Sequence, residues 1–322
     1  MESVYLYQVD AEKGEGLDLA KEFKVKAYPS FVMLNGNGET VDRWVGYSKE
    51  MHLETLSSAL SDLATIKQKI ERYNSKPSAK DAAILGRYNS ALGEYKDAVG
   101  FYTAAQSLND NPDTDYSYEI FNNTSYGVKG KHFTFDEVTA AADNVLKSKA
   151  ANPKIKVIAA MRMTRMAKQQ DRLDIVEPYI EAGLKLVAGS DDAESKEAFN
   201  DLMVDKSLYM THDNDAAVKY KKANMAEGWT EDPGQLNEFA WWCFENRVNL
   251  EEAERLARKG IELAEPGKSK AMILDTLAEI CSVLDNCSES VELTKMAIKE
   301  DPANEFYKEQ LKRFEEILAS SE

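Results

Sequence analysis

Along the last third of the chain, apolar residues recur at the three- and four-residue spacing of a helix face, and the face itself repeats. "LNEFAWWC" places Leu236, Phe239, Ala240 and Cys243 on one side of a helix. "LDTLAEIC" places Leu274, Leu277, Ala278 and Cys281 on the matching side, 38 residues later at every position. The helices that follow also correspond. Ala253, Ala257 and Gly260 in "EEAERLARKGIEL" become Ser290, Thr294 and Ala297 in "SESVELTKMAIKE", 37 residues on. Small residues at these positions allow close helix packing, because the distance between two helix axes follows the side chains at the contact. Self-similarity at this period predicts stacked helix pairs rather than one closed globule.

The first 62 residues keep a different rhythm. "VYLYQVD" (4–10) is an almost unbroken β-prone run, expected of a strand buried on both faces. "GLDLAKEFKV" (16–25) shows a helical face of Leu17, Leu19, Ala20 and Phe23. "SFVMLN" and "ETVDRWVGY" flank a "GNG" turn and predict a hairpin, followed by an amphipathic helix over 49–63. The expected order is β-α-β-β-α. "YNSKPSA" (73–79) reads as a linker-like break, and helical pattern dominates from there.

The helical region is similar to the tetratricopeptide repeat, a helix–turn–helix unit of 34 residues. Its best match is 82–106, with Leu85, Gly86, Gly93, Tyr95, Ala98, Tyr102 and Ala105 at the family spacing. Pro302 closes the last full repeat, and 203–229 is a weaker copy around Ala217. Residues 135–188 are helical with alanine-rich faces and match poorly, whereas 304–322 read as the polar capping helix such arrays need. Residues 109–135 interrupt the pattern with turn residues and many aromatics, and predict an ordered loop.

The N-terminal stretch resembles the C-terminal two-thirds of a thioredoxin domain. The likeness rests on Val9-Asp10, on "LAKEFKVKAYPSF" (19–31) and on "NGNGETVDRWVGY" (35–47). It implies that Pro29 is a cis-proline and that Tyr28 offers its backbone to an extended peptide. The family's first strand and the helix carrying its CxxC pair have no counterpart here. In the family that strand lies between the two parallel strands that remain, so 4–10 must pair directly with 30–35 or lose its partner. Thiol exchange needs a thiolate of lowered pKa beside a resolving partner, and this chain lacks such a pair.

Composition narrows the rest. The 322 residues are 43% hydrophobic and 30% charged, with a formal net charge of −16. That balance opposes nucleic-acid binding, which needs clustered Lys and Arg, and favours basic partners. No stretch reaches the roughly 18 apolar residues of a membrane span. No signal peptide follows Met1, so the expectation is a cytoplasmic protein if Met1 is the true start, and a periplasmic or secreted one if a signal lies upstream. Cys243, Cys281 and Cys287 form no CxxC, and with His52, His132 and His212 they show no metal-ligand spacing. Cys243 and Cys281 are expected in the core, and no cofactor is implied. Met163 and Met166 in "MRMTRM" share a helix face, a core pattern. The "NNT" and "NTS" triplets match the glycosylation sequon without a secretory context.

The resulting expectation is a mainly α chain: a partial thioredoxin-like α/β unit (1–62), a helical extension and linker (63–79), then tetratricopeptide-like repeats (80–322). No catalytic constellation is present, so a non-catalytic protein-interaction scaffold is expected. The alternative is the C-terminal portion of a thioredoxin-family thiol-disulfide oxidoreductase whose cysteines lie upstream of Met1. On the two C-terminal repeats, the first helix of each pair should expose Glu238, Trp241, Glu245, Asp275 and Glu279 in a concave groove. An acidic groove with one aromatic favours a basic or amphipathic peptide or protein segment.

Overall fold

A computed structural model describes residues 4–321. Sixteen α-helices and two strands lie among them. The N-terminal elements are α1 (Glu15–Glu22), β1 (Ser30–Leu34), β2 (Thr40–Val45) and α2 (Lys49–Leu60). The run 4–10, expected as a strand, forms none, so the order is coil-α-β-β-α. A β-prone sequence becomes a strand only beside a hydrogen-bonding neighbour, and β1 and β2 pair with each other. Their antiparallel register sets Phe31 opposite Trp44 and Val32 opposite Arg43. The turn between them is an Asn35 device: its side-chain oxygen accepts from the Asn37 and Glu39 amides, each at 3.0 Å.

α3 (Ile66–Ser75), α4 (Ala79–Leu92), α5 (Tyr95–Leu108), α6 (Ser117–Gly127), α7 (Phe135–Lys147) and α8 (Pro153–Gln169) follow. Helix α6 lies inside 109–135, the segment expected to loop. Its aromatics fold it: Phe121 is fully buried, and the Phe133 ring lies over Gly127 so closely that an added Cβ would meet it at 2.5 Å. Asn123 of the sequon is 1% exposed inside this helix. Two polar contacts fix the sheet to the helices beside it. Arg87 of α4 pairs with the buried Asp42 of β2 at 2.5 Å. Lys69 of α3, fully buried, donates to the carbonyls of Val41, Asp62 and Ala64 at 2.9, 3.1 and 2.7 Å.

The chain divides into two compact units after Met166. The second contains α9 (Val176–Val187), α10 (Ala193–Lys206), α11 (Asn214–Ala223), α12 (Pro233–Asn246), α13 (Leu250–Leu263), α14 (Lys268–Val283), α15 (Cys287–Glu300) and α16 (Glu305–Ser321). The repeat positions read from the sequence are its core: Leu236, Phe239, Ala240, Cys243, Leu274, Leu277, Ala278 and Cys281 are all at most 1% exposed. Ala253, Ala257, Ser290, Thr294 and Ala297 are fully buried on the partner helices.

One turn recurs in three helix pairs. A left-handed residue ends the first helix (Gly93, φ 77; Arg247, φ 55; Asp285, φ 62). The next residue's amide then reaches back to a carbonyl five positions earlier: Glu94 to Asn89, Val248 to Cys243, Asn286 to Cys281. This is the 6→1 bond of a Schellman cap, and it reverses the chain within two or three residues. Linkers that short make the two helices antiparallel neighbours. The fold is a mainly α, tetratricopeptide-like helical-repeat fold with a small two-stranded β unit at its N-terminal end.

Candidate interaction surface

Helix α12 begins on Asp232, whose carboxylate accepts the Gln235 amide at 2.9 Å, with Pro233 at its first position. Both favour a helix start. With Leu236, Phe239, Ala240 and Cys243 turned inward, the opposite face carries Glu238, Trp241 and Glu245, all exposed. Trp241 is 37% exposed and its ring lies 5.1 Å from that of Phe244. The Arg247 guanidinium sits 4.6 Å from the Phe244 centroid, closing a short aromatic–cation row. Glu238 accepts from Lys221 of α11 at 2.9 Å, so part of its charge is already matched.

The two acidic residues of α14 are placed differently from expectation. Glu279 is 8% exposed and accepts from Gln310 of α16 at 2.6 Å and from Arg313. Asp275, half-buried, accepts from Gln310 at 3.1 Å. Burial pushes the Asp275 carboxyl up to about 6, the Gln310 hydrogen bond opposing that rise and the neighbouring Glu279 charge adding to it. The five residues therefore do not form one open acidic wall. Helix periodicity predicts Asp275 and Glu279 to be exposed off the α14 core stripe, but the C-terminal helix packs against that side and engages both. Gln310 and Arg313 lie three residues apart on one face of α16, the only sequence trace of this arrangement.

Two of the three thiols, Cys243 and Cys281, are inert by placement. Burial raises Cys243 and Cys281 to about 12. Cys281 lies near Glu254 and Glu289 in a cluster with ligand-like spacing, yet Arg258 bridges both carboxylates at 2.7 Å and supplies the positive charge there. In the sheet unit the Tyr28–Pro29 bond is cis and Tyr28 is 59% exposed. Phe31 stacks on Trp44 at 5.4 Å, and His52 lies 4.5 Å from Phe31. No helix among the described residues is long and apolar enough to cross a membrane.

No protein-family model matches the chain, and no curated protein matches it. Among solved structures it is similar to a tetratricopeptide repeat protein from Parabacteroides merdae, at 14% identity over 77% of this chain and 90% of that one, with a TM-score of 0.43. It is similar to YrrB, a TPR protein with an unusual peptide-binding site, at 12% identity over 77% of this chain and all of the other, TM-score 0.37. The Cut9–Hcn1 hetero-tetramer of APC/C gives 11% identity over 76% of this chain and 44% of that one, TM-score 0.41.

Proposed function

We propose that the chain is a non-catalytic interaction scaffold whose second unit holds a basic or amphipathic segment of a protein partner against α12. The observation that carries this reading is the half-exposed Trp241 beside Phe244, flanked by the exposed carboxylates Glu238 and Glu245. An indole of this kind supplies apolar anchoring area, and flanking acids steer a cationic segment to it. Asp275 and Glu279, engaged by α16, would contribute background charge rather than direct contacts. The test is fluorescence anisotropy with a labelled Lys/Arg-rich amphipathic peptide. Trp241→Ala should raise the dissociation rate by roughly 30-fold, the equivalent of about 2 kcal/mol. Glu238→Lys with Glu245→Lys should chiefly slow association and flatten its salt dependence. Equal binding by wild type and both variants would leave this face as ordinary solvated surface.

A second reading rests on the sheet unit, where residues 4–10 carry a strand sequence without a strand partner. On that reading the chain is the C-terminal portion of a thioredoxin-family oxidoreductase, and Tyr28 and Pro29 would line its peptide site. The cysteine-bearing strand would then be encoded upstream of Met1. Transcript sequencing through that region decides between the two, since only the second requires a CxxC codon run there.

A further inference from the structure

Apolar side chains are distributed unevenly over the described surface. Of 23 exposed large apolar residues, twelve lie within residues 4–63, under a fifth of the chain. Val4, Tyr5, Leu6 and Tyr7 are 50, 92, 81 and 68% exposed. These four belong to an almost unbroken β-prone run, and only Asp10 of that run carries a charge.

The acceptor for such a run lies in the same unit. Gly46 donates its amide to the Pro29 carbonyl at 2.9 Å, and Phe31 stands opposite Trp44. Bonding alternates along an antiparallel pair, so the β2-facing groups belong to Pro29, Phe31 and Met33. The backbone groups of Ser30 and Val32 then point to the outer edge of β1, where no strand lies among the described residues. That edge reads Ser-Phe-Val-Met-Leu, with no charge and no interior proline. Solitary edge strands are ordinarily blunted by charges, prolines or bulges at the edge, because an unpaired apolar edge recruits another strand. The bulge between Met33 and Leu34 touches only the strand's last residue.

We propose that residues 4–10 of one copy of this chain pair along the outer edge of β1 in a second copy, and the reverse, giving a two-fold dimer by strand exchange. The donor and acceptor are both present, neither has a strand partner among the described residues on the edge concerned, and they are of similar length, seven residues against five. One added strand converts each two-stranded ribbon, marginal alone, into a three-stranded sheet. Reciprocal contact of identical surfaces closes at two copies, so the assembly does not propagate. Charge sets its salt dependence. Two chains of −16 repel, but the contacting strands are nearly uncharged. Added salt therefore strengthens the dimer, screening beyond about 8 Å at physiological ionic strength. Binding of a basic segment to α12 would weaken under the same change, which keeps the two readings apart.

Sedimentation velocity of the full chain at micromolar concentrations tests the proposal. Leu6→Pro alters only a segment without secondary structure, so the fold survives while the donor strand is lost. Val32→Pro removes an outward-facing amide and spares the ladder to β2. Each variant alone should dissociate at least about tenfold more readily than wild type. An equimolar mixture should recover a dimer, because Val32→Pro still donates and Leu6→Pro still accepts. A wild type that stays monomeric as salt and concentration rise overturns the proposal, as does a Leu6→Pro dimer as tight as wild type or a mixture that recovers nothing.

Discussion

The ring of Tyr102 on α5 lies directly over Gly86 of α4: a methyl group on that α-carbon would meet the Tyr102 Cδ2 and Cγ atoms at 2.9 Å. The corresponding close approach in the second unit, Gly260 of α13 against Ile273, would leave 3.3 Å. The first contact is with a rigid ring in a buried position, the second with the branched end of an aliphatic side chain. Gly86→Ala should therefore destabilise by about 1–3 kcal/mol, the usual cost of overpacking, despite alanine's better helix propensity. Gly260→Ala should come out near neutral, the propensity gain offsetting a small shift of Ile273. Urea denaturation of the two variants measures the difference, and equal midpoints would contradict it.

The recurring helix turn gives a stabilising substitution. Asp285 holds a left-handed conformation that glycine adopts without strain, at a position where Gly93 already does so. Asp285→Gly should raise stability by about 0.5–1 kcal/mol, read as a higher denaturation midpoint. Arg247→Gly should gain less, because it also removes the guanidinium from the Phe244 ring.

Glu119 of α6 makes stability depend on pH. Its Oε2 is buried without a hydrogen-bond partner although the residue as a whole is part-exposed. Burial raises its carboxyl to about 7, a backbone hydrogen bond opposing and Asp115 adding to the rise. The folded chain thus keeps a proton that the unfolded chain releases near pH 4.5. Between those values the native state binds more protons, so stability falls as pH rises and levels off above about 7. Glu119→Gln should flatten that slope and be more stable than wild type above neutrality by about 1–3 kcal/mol, after allowance for partial solvent access. An unchanged slope in thermal melts across this range would remove Glu119 as the cause.

Cys243 and Cys281 should behave as core, unlike Cys287. With Cys243 and Cys281 raised to about 12 by burial, a thiol reagent added to native protein should titrate Cys287 promptly and the other two only on unfolding. The same chain should not accelerate insulin reduction by dithiothreitol. Activity abolished by Cys243→Ser or Cys281→Ser would show that one of these buried thiols is reached by substrate.

The repeat core was legible because helix packing is periodic and local. Leu236 and Leu274, 38 residues apart, are chemically alike because they fill equivalent places, and both are fully buried. The failures share a different cause, which is that pairing is not local. Residues 4–10 have strand chemistry, but a strand needs a neighbour that the local pattern does not supply. Asp275 and Glu279 were expected to be exposed in a groove, yet their surroundings depend on Gln310 and Arg313, more than thirty residues downstream, which cover both. Helix α6 was hidden because turn-forming residues outnumber its helix formers, and Phe121 and Phe133 stabilise it through tertiary contact.

Lys69 holds three carbonyls inside the protein with an ammonium group that burial makes easier to deprotonate. That amine is also a chemical latch. Acylating reagents cannot reach it while the sheet and α3 stay together, and once acylated it has lost two of its three donor hydrogens and its charge, so it cannot close again. Each opening of the N-terminal unit in the presence of such a reagent is thereby recorded permanently. The labelling rate of this one lysine, followed by mass spectrometry against its exposed neighbour Lys67, is a clock for how often the unit comes apart.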